Sequence, residues 1–252
     1  MKKLTKLLVG LLLIAATYRL DAQVTSDRLL RAADEPQNWL TYSGGYAGQR
    51  YSLLRQIDTS NVKNLELKWM MQNQVFGPWE TSPLVVDGVM YLTQRPNDVI
   101  ALDAKTGRMF WLYRYTNSGR QQVCCGAQNR GVAMLGDTLF MGTLNAHVVA
   151  IDAKNGKPLW NVAVADDKLA YSITLAPLVV KDKVIIGVGG AEYGIRGFVA
   201  AYDAKSGREV WRFNTIPGTG EPGSETWSGE AWQHGGGSIW VTGSYEDRKS
   251  VV

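Results

Sequence analysis

The chain has 252 residues, the size of one large domain or two ordinary ones. Hydrophobic residues make up 45% and charged residues 20%, which excludes a disordered chain. The net charge is +4; residues 1–22 hold four cations (Lys2, Lys3, Lys6, Arg19) and one anion (Asp21), so without them it is +1, and charge points to no nucleic-acid partner.

The chain opens with those lysines, then an uncharged apolar run from Leu7 to Ala16, then small Ala22. This pattern predicts a secretory signal peptide over 1–22, because a membrane span needs ~20 apolar residues. An uncleaved N-terminal anchor is the alternative. No second long apolar run follows, so the expectation is a periplasmic protein with no stable membrane insertion. A short helix is predicted around Ser26 to Ala33. A degenerate unit from Trp39 to Met71 follows, ending in Leu67, Lys68 and Trp69.

Three later segments then align without gaps. Each has an Asp-Ala-Lys-x-Gly turn starting at Asp103, Asp152 or Asp203, and a tryptophan eight residues on, at Trp111, Trp160 or Trp211. The spacings of 49 and 51 residues mark a repeat architecture. Asp can bond nearby backbone N–H groups and Gly can take φ > 0, so each segment predicts a hairpin. A second hairpin lies upstream each time, turning at Asp87-Gly88, Gly136-Asp137 and Asp182. Four strands per ~50 residues with no amphipathic helix describe a blade of a β-propeller, in an all-β fold. The recurring tryptophans are expected to pack between blades. A fourth repeat begins near Gly235. Propellers close with about four to eight blades, so three blades and fragments are part of a ring or a piece that closes by association.

Some residues have no blade role. Cys124 and Cys125 are the only cysteines and are neighbours. A bridge between them closes a rigid eight-membered ring across Cα atoms only ~3.8 Å apart; two free thiols are the alternative. Glu192 follows an apolar strand and Gly189-Gly190, where it is either an oxygen ligand for a hard cation or a solvated carboxylate. Trp240 follows three glycines from Gly235, as a stacking face for a planar ligand or an ordinary blade residue. Arg130 is either a carboxylate anchor or a surface residue. No zinc pattern, Ser–His–Asp order or phosphate loop is visible.

Together, Cys124-Cys125 with Asn129-Arg130-Gly131, the run from Gly190 to Gly197, and the Gly-rich segment ending at Trp240 resemble the PQQ-dependent (quinoprotein) alcohol dehydrogenases of the methanol/ethanol dehydrogenase type. The resemblance covers most of residues 36–246. It implies an eight-bladed propeller, of which about half the blades are present. It implies PQQ between a vicinal disulfide at Cys124-Cys125 and Trp240. Glu80, Arg130, Thr174, Gly190, Ala191 and Ser238 are implied around its polar rim, and Glu192 on a calcium or lanthanide ion. The implied reaction oxidises a small primary alcohol to an aldehyde, with a cytochrome c as electron acceptor. The family's catalytic Asp base and Asn metal ligand correspond to later blades. Gly189 stands where methanol-specific members commonly have Ser, and Ser238 where Thr is usual.

Residues 23–246 are thus expected to be the N-terminal part of the propeller. Residues 247–252 break the strand alternation and are expected to be a non-native tail. Such a fragment is expected to be inactive alone, with one metal ligand and no base. The rival reading is a non-catalytic periplasmic scaffold or binding module. It explains the blades and their tryptophans, but not Cys124-Cys125, Glu192 and Trp240 together.

Overall fold

A computed structural model describes residues 24–73, 75–116, 123–166 and 168–247. The expected signal peptide and all of the expected tail except Asp247 lie outside these residues. Among them, no helix is long and apolar enough to cross a membrane.

Three four-stranded antiparallel sheets follow one another in the chain. The first comprises β1 (Leu84–Val86), β2 (Val89–Gln94), β3 (Asp98–Asp103) and β4 (Met109–Tyr113). The second comprises β5 (Ala133–Leu135), β6 (Thr138–Gly142), β7 (His147–Asp152) and β8 (Pro158–Ala163). The third comprises β9 (Leu178–Val180), β10 (Lys183–Gly187), β11 (Phe198–Asp203) and β12 (Glu209–Asn214). In each sheet the strands pair in sequence order, the meander expected of a blade. The middle strands β3, β7 and β11 are buried, whereas β4, β8 and β12 are largely exposed and form outer edges.

The repeat turn folds as its chemistry demands. Asp103 accepts the backbone N–H groups of Lys105 (2.8 Å) and Thr106 (2.9 Å) on Oδ1. Gly107, Gly156 and Gly207 take φ of +72°, +73° and +71°, which a side chain would resist. The register slips at equivalent places, Ala101/Leu102, Ala150/Ile151 and Ala201/Tyr202, so each turn carries the same bulge.

These turns receive the tryptophans of the preceding unit. The indole N–H of Trp69 donates to Ala104 O (3.2 Å), that of Trp111 to Ala153 O (3.1 Å) and that of Trp160 to Ala204 O (3.2 Å). A Cβ on Gly107, Gly156 or Gly207 would lie 2.5, 2.6 or 3.0 Å from the seated ring. The glycine thus serves both the turn and the flat contact. Below them Leu84, Val99, Phe140, Val148, Val184 and Phe198 fill a continuous core.

Two expectations are corrected. The helix α1 is Ser26–Leu30 only, capped by the Thr25 hydroxyl, and a 3₁₀ turn (Ala32–Asp34) follows it. The segment from Trp39 to Met71 makes no sheet; its one backbone bridge to a strand is from Trp39 to Val85, and Tyr46 reaches β9 through its hydroxyl on Val179 O (2.6 Å). Leu67 and Met70 are exposed because no strand lies beside them among the described residues, although Trp69 docks as the later tryptophans do.

Candidate functional site

Four segments converge on a cavity of about 280 Å³. They are the β4–β5 connection (Cys124 to Arg130), the β8–β9 connection (Ser172, Thr174), the β10–β11 loop (Gly189 to Glu192) and the segment after β12 (Ser238, Trp240). Two of these four, the β4–β5 and β8–β9 connections, are links between successive sheets, so stacking the blades assembles much of the cavity wall.

Cys124 and Cys125 are disulfide-bonded neighbours with Cα atoms 3.8 Å apart. Of the two sequence alternatives, the bridge holds. The Gln128 side-chain amide donates to Cys125 O and ties down the far side of this turn.

Arg130 is fixed at several points. Its backbone N–H donates to Thr174 O (3.1 Å), and its carbonyl accepts from Ser82 N–H (3.0 Å). Its guanidinium pairs with Glu80 at 2.6 Å, reaches Thr174 O at 3.3 Å and lies 4.9 Å from the centre of the Trp240 ring. The side chain is only 15% exposed, so its charge is partly shielded from water.

The Gly189-Gly190 pair permits close approach. Gly189 forms a two-way bridge with Ser172, its N–H donating to Ser172 O at 2.7 Å. A Cβ on Gly190 would fall 2.0 Å from Ala170 O, so no side chain fits there. Glu192 sits in a one-turn 3₁₀ segment (Ala191–Tyr193) between Gly190 (φ +117°) and Gly194 (φ +73°). Among the described residues no hydrogen bond or ion pair holds its carboxylate. The Ala191 N–H donates to the Ser238 hydroxyl (3.0 Å), stitching this loop to the segment that carries Trp240.

Eight of the ten expected site residues line the cavity: the two cysteines, Arg130, Thr174, Gly190, Glu192, Ser238 and Trp240. Glu80 and Ala191 do not. Glu80 stands behind Arg130, and Ala191 acts through Ser238. Sequence reasoning missed Gln128 and Ser172, which also line it. Ser172 is brought there by its pairing with Gly189 across the fold, and Gln128 by its place in the turn after the disulfide, where it bonds Cys125.

The surroundings suit a planar, anionic, oxygen-rich molecule such as PQQ: a ring-closed disulfide, an indole, an arginine and a hydroxyl share one pocket. For a metal ion the residues present are too few. No three His, Cys, Asp or Glu side chains gather among the described residues, whereas calcium takes six to eight oxygens. Glu192 could supply one ligand, with the rest coming from elsewhere.

A propeller with a cofactor-sized, cation-bearing pocket at the blade junctions defines a class of cofactor-dependent β-propellers. The family model for the beta-propeller domain of glucose/ethanol/alcohol dehydrogenases (PQQ) matches residues 39–252, and the chain belongs to this family. It is 40% identical to the quinohemoprotein alcohol dehydrogenase ADH IIB of Pseudomonas putida, over all of the chain and 39% of that protein. It is 39% identical to the lanthanide-dependent methanol dehydrogenase of Methylacidiphilum fumariolicum, over 88% of the chain and 40% of that protein. The solved structure of ADHIIG from Pseudomonas putida HK5 superposes with a TM-score of 0.83 at 42% identity, covering 90% of the chain and 35% of its own. The chain therefore spans about two fifths of the length of these relatives.

Proposed function

We propose that this chain is the N-terminal part of a periplasmic PQQ-dependent alcohol dehydrogenase that oxidises primary alcohols to aldehydes and passes electrons to a cytochrome c. The observation that carries this reading is the gathering of Cys124-Cys125, Arg130, Glu192 and Trp240 around one cavity. Bound there, PQQ would supply the two-electron acceptor for the alcohol's hydride. Arg130, held by Glu80, would anchor a cofactor carboxylate through paired N–H donors. Trp240 and the disulfide would present rigid surfaces to a planar ring, and Ser238 a hydroxyl to its rim. Glu192 would contribute one oxygen to a calcium or lanthanide ion. The alcohol's proton is assigned to a carboxylate outside these residues, as the resemblance implies. A non-catalytic scaffold would leave these residues without a shared purpose.

The test is reconstitution of the full-length gene product with PQQ and calcium or a lanthanide. Dye-linked oxidation of a primary alcohol is expected, with no turnover from residues 23–252 alone. A full-length protein that binds no PQQ, or turnover by the isolated piece, would overturn the proposal in that respect.

A further inference from the structure

Asn129 is 2% exposed and does not line the cavity, yet it is bonded to both flanking sheets. Its Nδ2 donates to Gly142 O at the end of β6 (2.8 Å) and reaches Asn97 Oδ1 in the β2–β3 turn at 3.4 Å. Its Oδ1 accepts the N–H of Gly131 (3.2 Å), and its carbonyl accepts the hydroxyl of Thr93 in β2 (2.9 Å). Asn97 and Thr93 are themselves fully buried, and Asn97 Oδ1 also accepts the Leu144 N–H (3.2 Å). One side chain thus joins the first sheet, the second sheet and the chain on both sides of Arg130. A buried polar group of this kind is costly unless every partner is in place, so it specifies a single geometry.

We infer that Asn129 is a positioning residue, which holds the Arg130 backbone so that the guanidinium meets the cofactor at a fixed place and angle. The inference rests on the cofactor reading proposed above. Without the Asn129 clamp, the Arg130 backbone would be held only by its bonds to Ser82 and Thr174, with the Glu80 ion pair on its side chain and the Gln128 bond to Cys125 further up the segment. Arg130 would still be present and charged, but with more than one orientation, and its two-point grip would weaken.

The experiment is a double-mutant cycle on PQQ affinity in the full-length protein, read by tryptophan fluorescence quenching with calcium present. Asn129→Asp keeps the shape but turns the Nδ2 donor into an oxygen facing Gly142 O and Asn97 Oδ1. Thr93→Val is the gentler variant, removing the hydroxyl that donates to Asn129 O and that also lies 3.0 Å from Thr81 Oγ1. Asn129→Asp is expected to raise the PQQ dissociation constant about tenfold or more, and Thr93→Val several-fold. In an Arg130→Lys background, which keeps charge but lacks the rigid fork, both effects should shrink to about twofold or less. Phe140→Leu, in the core of β6, should lower the unfolding midpoint without moving the dissociation constant. Equal losses in both backgrounds, or a Phe140→Leu loss matching that of Thr93→Val, would overturn the positioning role while leaving the cofactor reading intact. A wild-type protein that binds no PQQ would overturn both.

Discussion

The seat of each tryptophan on the next blade's glycine can be tested with one methyl group. Gly156 takes φ +73°, and a Cβ there would stand 2.6 Å from Trp111 Cε3 and 2.9 Å from its Cδ2. Gly136 takes φ +59°, with nothing within 4 Å of its Cβ position. Gly136→Ala therefore has only the left-handed backbone to resist it, about 1–2 kcal/mol. Gly156→Ala meets the same strain and an indole that cannot stay where it is. Moving the ring breaks the Trp111 N–H bond to Ala153 O, net about 1 kcal/mol, and disturbs its packing on Tyr91 by about another 1 kcal/mol or more. The expected costs are about 1–2 kcal/mol for Gly136→Ala and about 3–4 kcal/mol for Gly156→Ala. At about 2–4 °C per kcal/mol for a protein of this size, the two midpoints should differ by several degrees. Thermal unfolding followed by far-UV circular dichroism measures this directly. Equal losses for both variants would refute the reasoning, because they would mean the indole is not seated on the turn.

Three further outcomes are expected. Arg28 bonds both Glu35 and Asp87 at 2.6 Å and holds both carboxyls below their ordinary values, so their contribution is complete above the usual carboxylate range and is lost as pH falls through the lowered values; Arg28→Ala should cost about 1–2 kcal/mol at pH 7 and flatten the acid limb of a stability–pH profile. Reducing Cys124-Cys125 opens a ring that constrains almost no chain, so urea titration should show less than about 0.5 kcal/mol lost, while PQQ affinity, by fluorescence quenching, falls. Glu192→Gln lies in an exposed turn and should leave the unfolding midpoint unchanged, while calcium or lanthanide no longer enhances PQQ binding in the full-length protein.

What was legible in the sequence was whatever repeats or is punctuated locally. Three copies of one turn, each with a glycine and a following tryptophan, marked the three sheets and the packing between them. The Asp87-Gly88 corner was legible for the same reason: both residues take positive φ, at 49° and 85°. The segment Trp39 to Met71 was not, because a strand is defined by its neighbours and Leu67 and Met70 have none beside them among the described residues. The roles of Ser172 and Asn129 were not legible, although Asn129 stands in the motif, because their partners are distant in the chain. Ser172 pairs with Gly189 across a loop, and Asn129 bonds Gly142 and Asn97 in two different sheets. Chemistry-bearing residues such as Arg130 and Glu192 stood out by type, while the groups that hold them did not.

The placement of the site on blade junctions has a physical consequence. Cys124 to Arg130 join the first sheet to the second, Ser172 and Thr174 join the second to the third, and Trp240 lies beyond the third. Each junction is set by an indole locked on a turn at the outer edge: Trp111 on the second sheet and Trp160 on the third. Trp211 is the equivalent residue of the third sheet, yet it is 43% exposed and meets no turn of a following blade among the described residues. The two inner junctions are therefore set by a seated indole, whereas the segment beside Trp240 is held by hydrogen bonds instead, among them Ser238 to Ala191, Ile239 to Val188, Gly236 to Ile195 and Thr242 to Ala176. A rotation of one blade against the next moves one wall of the cavity relative to another. Cofactor affinity should accordingly report on blade stacking, and a ligand that spans the cavity from the disulfide to Trp240 should stabilise the stack by the same free energy.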